Sequence, residues 1–77
     1  MTAYEKFMNY LWENGISMEF INDMLNPRDK VFMDATLEFM KMFDADTSSG
    51  DIYYRAAVTT VERGLSNLEM LNSVYGM

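Results

Sequence analysis

Residues 13–25 read ENGISMEFINDML and residues 62–75 read ERGLSNLEMLNSVY, so the chain carries one short pattern twice, with a single residue inserted in the second copy. In each copy a glycine is placed to end one helix, an aliphatic residue follows, and a serine is placed to cap the next helix. The repeat therefore predicts an all-α fold with two similar helix–Gly–aliphatic–Ser–helix corners. The aligned corner residues are Gly15 with Gly64, Ile16 with Leu65, and Ser17 with Ser66.

Other capping signals divide the rest of the chain into short helices. Thr2 and Glu5 have the spacing of a capping box, and Asn26 followed by Pro27 is typical of a junction where one helix stops and the next begins. The polar stretch 44–51 predicts one loop. We expect helices over about 3–13, 18–25, 27–43, 51–63 (starting at residue 51 or 52) and 67–75, the last ended by Gly76, or one helix over 51–75 that is kinked at Gly64.

The segment 27–43 is apolar around most of its helical circumference. A helix of this kind is usually enclosed by neighbouring helices. We therefore expect a compact bundle of four to five short helices around this central helix, or its participation in a dimer seam. A chain of 77 residues predicts a single domain, residues 1–77. The polar strip of the segment is confined to Lys30, Asp34, Glu38 and Lys41.

Composition excludes several classes of function. Twelve acidic and six basic residues give a net charge of −6, which would repel a nucleic-acid backbone. A helix-turn-helix DNA reader is also disfavoured, because neither helix that follows a predicted corner contains Lys or Arg. No apolar run is long enough to span a bilayer, and the first residues do not have the pattern of a signal peptide. We expect a cytoplasmic protein that binds neither nucleic acid nor membrane.

The residue types needed for most catalysis are missing. The chain has no Cys and no His, so no serine has an imidazole base beside it and the commonest transition-metal ligands are absent. Asp44, Asp46 and Ser48 have the first spacings of a calcium-binding EF-hand loop, but Ser49 replaces the expected glycine and Arg55 the bidentate glutamate. We expect no enzymatic activity, no metal and no cofactor, with a calcium-responsive switch as a remote alternative.

Two groups of residues are candidates for contact with a partner. Trp12 lies at the border between the apolar and polar faces of its helix, and Met42 lies at the edge of the apolar arc of segment 27–43, so both suit an interface. The second group would form an acidic, aromatic patch at the polar loop, suited to a protein with a basic surface. Its members are Asp44, Asp46, Asp51 and Tyr53.

The apolar content favours a function in protein binding. A hydrophobic fraction of 49%, with nine Met, leaves apolar side chains for an interface. We expect a non-catalytic protein-binding module that acts as a small acidic inhibitor or regulator of a larger protein or complex. Size, acidity and missing catalytic residues match the profile of phage-encoded inhibitors such as anti-defence proteins, which is an analogy of composition alone. The alternative is a structural homo-oligomer whose apolar surplus closes on a second copy.

Overall fold

Four α-helices make up the computed structural model, which describes residues 1–75. Within the described residues no strand forms, and the one β-type pairing is an isolated bridge between Thr2 and Asp44. The expected all-α bundle is confirmed, while Gly76, the predicted end of the last helix, lies outside the described residues. The helices are α1 (Ala3–Glu13), α2 (Met18–Met24), α3 (Pro27–Met40) and α4 (Ser48–Tyr75).

The caps of α1 and α2 follow the sequence prediction. The Glu5 N–H donates to the Thr2 hydroxyl at 3.1 Å, and the Thr2 N–H donates to the Glu5 carboxylate at 3.1 Å. Gly15 has a φ of +65°, in the left-handed region that favours glycine. Ser17 then accepts the Phe20 N–H at 3.0 Å and caps α2. The first predicted corner is therefore confirmed.

The second predicted corner is wrong, because α4 runs as one helix through Gly64 and Ser66. Gly64 has a different structural role from Gly15. A Cβ atom at Gly64 would lie 2.7 Å from the Met24 Cε and 3.2 Å from the Leu25 Cδ2. The missing side chain thus lets the end of α2 pack directly on the backbone of α4. The glycine of the first copy is needed for a local reason, its left-handed backbone, and the glycine of the second copy for a tertiary reason, close packing between helices.

The turn between α3 and α4 lies about three residues earlier in the chain than predicted. α3 ends at Met40 rather than Phe43, and α4 begins at Ser48 rather than at residue 51 or 52. The chain just before α1 lies along this turn, where the Ala3 N–H donates to the Phe43 carbonyl at 2.9 Å. The residues after Met40 therefore bind the start of the chain instead of adding another helical turn.

Thr47 caps α4, although it stands inside the predicted loop. Its hydroxyl accepts the Gly50 N–H at 3.0 Å and donates to the Asp44 carbonyl at 2.7 Å. The Asp44 carboxylate in turn accepts the Asp46 N–H at 2.9 Å. These bonds are typical of a helix N-cap preceded by an Asx turn, so short polar side chains define the connection between the two helices.

The long helix α4 packs against each of the other three helices. From its wide apolar arc α3 contributes Met33 and Met40 to the core, whereas Val31, Phe32 and Phe39 remain at least 44% exposed. The composition of α3 predicts that neighbouring helices enclose it on most sides. In the structure they do not. The buried core consists of Ala3, Phe7, Leu11, Ile21, Leu25, Met33, Met40, Ala57 and Val61.

The capping box of α1 gives the protein a defined response to acid. Two hydrogen bonds to the Glu5 carboxylate hold its pKa below the usual 4.5. The bond from the Thr2 backbone N–H has the larger effect, and the bond from the Thr2 hydroxyl has the smaller one. Because this pKa is lower in the folded chain, the box adds stability above the unfolded pKa and loses it as the pH falls through the folded pKa. We expect Glu5→Gln to lose less in thermal midpoint than the wild type between about pH 6 and pH 3. Circular dichroism melts at both pH values check this, and equal losses would contradict it.

Candidate protein-binding surface

The two predicted apolar contact residues are both exposed. Trp12, at the end of α1, has 86% of its surface in solvent, and Met42, just after α3, has 66%. Trp12 borders a shallow hollow formed with Gly15, Ile16 and Ser17 at the first corner. Exposed side chains of this size are available for contact with a partner, and their participation in an interface stays a prediction.

The predicted acidic patch has a different composition in the structure. Asp44 and Asp46 are exposed on the turn. The Asp51 carboxylate, however, lies 2.9 Å from the Arg55 Nε, so its charge is paired. Tyr53 is half-buried, because its ring stacks on Phe39 with centroids 5.2 Å apart and also on Phe43. The tyrosine predicted to complete the patch therefore helps to join α4 to the end of α3.

The residues with EF-hand spacing serve the start of α4. Asp44 accepts the Asp46 N–H, as described above, and Ser48 lies in the first helical turn. Within residues 1–75, no cluster of three or more Asp or Glu side chains is arranged to hold a metal ion. The spacing thus matches a turn followed by a helix, which uses the same short polar side chains.

Among residues 1–75, two titratable groups have displaced pKa values, and each has a structural cause. The pKa of Glu5 is lowered by its capping box. The pKa of Tyr10 is raised by burial first, and then by the negative charge of Glu62. Tyr10 also stacks on Phe7 of the core, with ring centroids 6.0 Å apart. Both shifts follow from helix capping and packing, so neither identifies a general acid or base.

A larger apolar surface, which sequence reasoning did not identify as a site, lies where α3 meets α4. Its three large side chains are between 44% and 64% exposed. The apolar arc of segment 27–43 was a sequence signal for the α3 part of this surface. The α4 part gave no such signal, because only packing brings it beside α3. We call this surface the α3–α4 face, and its members are Phe32, Phe39, Ile52 and Ala56.

All three arginines of the chain border the α3–α4 face. Arg63 lies 3.5 Å from the Asp29 carboxylate, and Arg55 makes the pair with Asp51. Arg28 forms no ion pair with any residue that the structure describes. The Arg55 and Arg63 side chains are 77% and 56% exposed, so both remain open to further contacts. Half of the basic residues of an acidic protein therefore lie along one surface.

Two shallow hollows lie side by side on this face, and Phe32 and Arg63 line both of them. The first, at the start of α3, has mostly polar walls, and the second, between the middle of α3 and α4, has apolar walls with Arg55 and Arg63 at its edge. Aromatic rings and arginines beside an apolar groove are typical of the parts of protein interfaces that contribute most of the binding energy. The polar wall of the first hollow is formed by Asn26, Arg28, Asp29 and Asn67.

A smaller apolar area lies toward the end of α4. Met70 is 66% exposed, and Leu71 borders a hollow with Met24 beside Gly64. No arginine lines this hollow. It therefore differs in chemistry from the α3–α4 face.

None of the helices within the described residues combines the length and apolar character needed to cross a membrane. No protein-family model matches the chain, and no curated protein or solved structure is significantly similar to it.

Proposed function

We propose that this protein is a non-catalytic binding module that takes an apolar segment of another protein on its α3–α4 face. The supporting observation is that exposed Phe32 and Ile52 line one groove, and that exposed Phe39 stacks on Tyr53, the residue next to Ile52. Large apolar side chains scattered singly on a surface need no explanation, but a contiguous patch indicates an interaction site. The acidic, small chain then acts as an inhibitor or regulator by covering part of a larger protein, as the analogy with phage-encoded inhibitors suggests.

The spacing of the aromatic residues favours a helical partner segment. Phe32 and Phe39 are seven residues apart on α3, which places them about 10 Å apart along the helix axis. An amphipathic helix that presents apolar residues at i, i+3, i+4 and i+7 has anchors at the same spacing. The groove beside Phe32, lined by Ile52 and Ala56, can receive such anchors along its length.

The test uses a fluorescently labelled helical peptide of about 16 residues, with Leu on one face and Gln at all other positions. We expect fluorescence anisotropy to show binding to the wild type, and Ile52→Glu to weaken it by about tenfold or more, because a charge would be buried in the contact. Met70→Glu is the matched control, since Met70 lies on the same helix and is 66% exposed compared with 64% for Ile52. Binding that is absent from the wild type, or that both variants weaken equally, would contradict the proposal.

A structural homo-oligomer is the second candidate, because the same exposed face would also fit a second copy. Light scattering over about a hundredfold range of concentration separates the two functions. A monomer at all concentrations supports a face that is open to another protein. A stable dimer that Ile52→Glu converts to a folded monomer would instead assign the α3–α4 face to self-association.

A further inference from the structure

We infer that the partner segment is acidic: an amphipathic helix that carries Asp or Glu next to its apolar anchors and pairs them with the three arginines of the α3–α4 face. This inference rests on the proposed function and names the chemistry of its ligand. It reverses the expectation from net charge alone, which favours a basic partner for a protein of charge −6. The reversal follows from where the basic residues lie, not from how many there are.

The arginines are placed to flank the apolar anchors. Arg63 is shared by both hollows and lies beside Phe32, Arg55 stands at the edge of the apolar groove, and Arg28 lies at the start of α3. A guanidinium can donate two parallel hydrogen bonds to one carboxylate, which suits it to fix the register of an acidic helix. A peptide with apolar residues in the groove would therefore meet cationic side chains on its flanks.

The intramolecular ion pairs leave these guanidinium groups available. The Arg63 pair with Asp29 is long, at 3.5 Å, and the Arg55 pair with Asp51 joins two residues on the exposed side of α4. The Arg55 and Asp51 side chains are 77% and 40% exposed, and an exposed pair of this kind contributes little to stability, so Arg55 can exchange Asp51 for a carboxylate of a partner. The Asp29 side chain is only 19% exposed, but Arg63 is 56% exposed and can bind a second carboxylate without leaving Asp29. Arg28 has no carboxylate to exchange within the described residues. The face therefore presents guanidinium groups that can still bind carboxylates of a partner.

A nucleic acid is a poorer fit than an acidic peptide. Phe32, Ile52 and Ala56 lie between the arginines, so the cationic groups do not form the continuous track that follows a phosphate backbone. The many carboxylates elsewhere on the chain repel a long polyanion. A short peptide avoids most of this repulsion, because at about 0.15 M salt charges farther than about 8 Å are largely screened.

The test compares three versions of the helical peptide that share the same Leu face and carry Glu, Gln or Lys at the flanking positions. At about 0.15 M salt we expect the Glu peptide to bind about tenfold more tightly than the Gln peptide, roughly two- to threefold for each of three exposed charge pairs. The Lys peptide should bind more weakly than the Gln peptide. An equally charged single-stranded oligonucleotide should bind more weakly than the Glu peptide.

Variants assign the preference to the arginines. Arg28→Gln combined with Arg63→Gln should reduce the Glu-over-Gln ratio to about twofold or threefold. The matched control is Lys6→Gln combined with Lys41→Gln, which removes the same net charge elsewhere, since these ammonium groups lie over the Tyr54 and Tyr4 rings. The control should retain the tenfold ratio. Circular dichroism verifies that both double variants are folded.

The outcomes separate the two levels of the proposal. If none of the three peptides binds the wild type, the proposed function itself fails. If the Gln peptide binds and Ile52→Glu prevents it, but Glu brings no preference, the function stands and the acidic partner is overturned. An equal loss of preference in the lysine control, or an oligonucleotide that binds as tightly as the Glu peptide, overturns the acidic partner as well.

Discussion

Replacing Gly50 by alanine is expected to destabilise the protein by about 2–3 kcal/mol, although glycine-to-alanine changes in exposed helices usually stabilise them by up to about 1 kcal/mol. Gly50 stands in the first turn of α4, directly above the turn that joins it to α3. A Cβ atom there would overlap the carbonyl oxygen of Asp44. Because the obstacle is backbone and not the end of a flexible side chain, the turn itself must move.

The movement would break the bonds that define the connection. The Asp44 carbonyl accepts both the Thr47 N–H at 3.1 Å and the Thr47 hydroxyl at 2.7 Å. The Thr47 hydroxyl in turn accepts the Gly50 N–H. A shift of this carbonyl would therefore weaken the cap of α4 and the turn at once.

Urea unfolding of Gly50→Ala and of Ser49→Ala measures this effect. Ser49 precedes Gly50 in the same helical turn and is exposed, so its change to alanine should alter the free energy of unfolding by less than about 0.5 kcal/mol. A Gly50→Ala variant as stable as Ser49→Ala would show that the close approach of Gly50 and Asp44 is not needed for the fold.

Those parts of the fold that depend on neighbours in sequence could be predicted. The capping box of Thr2 and Glu5, the left-handed Gly15 and the cap at Ser17 involve atoms within a few residues, and their residue types are specific for these roles. The bounds of α1 and the start of α3 followed directly. Local signals of this kind are readable because few other conformations satisfy them.

The errors arose where tertiary packing decided the structure. Gly64 and Ser66 repeat the local signals of Gly15 and Ser17, yet α4 continues through them because Met24 and its neighbour pack against the glycine. In an isolated peptide a glycine and a serine would favour a break, but contacts with three other helices along α4 outweigh these small propensities. A repeat in sequence therefore does not ensure a repeat in structure.

The candidate site could be predicted only in part for the same reason. The exposure of Trp12 and Met42 agrees with their positions at the edges of apolar arcs. The α3–α4 face, however, combines Phe32 with Ile52, which are 20 residues apart, and adds arginines from both helices. No pattern within one helix identifies such a combination, since it exists only after α3 and α4 have packed. Acidic residues outnumber basic ones by twelve to six, while the positions of three arginines give this surface its local charge.

Phe7→Ala should have the largest effect on stability of any single substitution considered. Phe7 is completely buried in the core, and truncation of a buried phenylalanine typically costs about 3–5 kcal/mol, through lost burial and the cavity that remains. A domain of 77 residues has a total stability of about 4–12 kcal/mol, so the variant should be unfolded or close to it at 25 °C. Urea unfolding monitored by circular dichroism gives the free energy directly.

The matched substitution Phe32→Ala tests how the apolar residues divide between core and interface. Phe32 is 47% exposed, so the same truncation should cost less than about 1.5 kcal/mol, because much of the ring already lies in water. A folded Phe32→Ala variant beside an unfolded Phe7→Ala variant would mean that the fold does not depend on the α3–α4 face, which leaves that face free for a partner. Comparable losses would place Phe32 in the core, and the exposed aromatic surface on which the proposed function depends would no longer be surplus to folding.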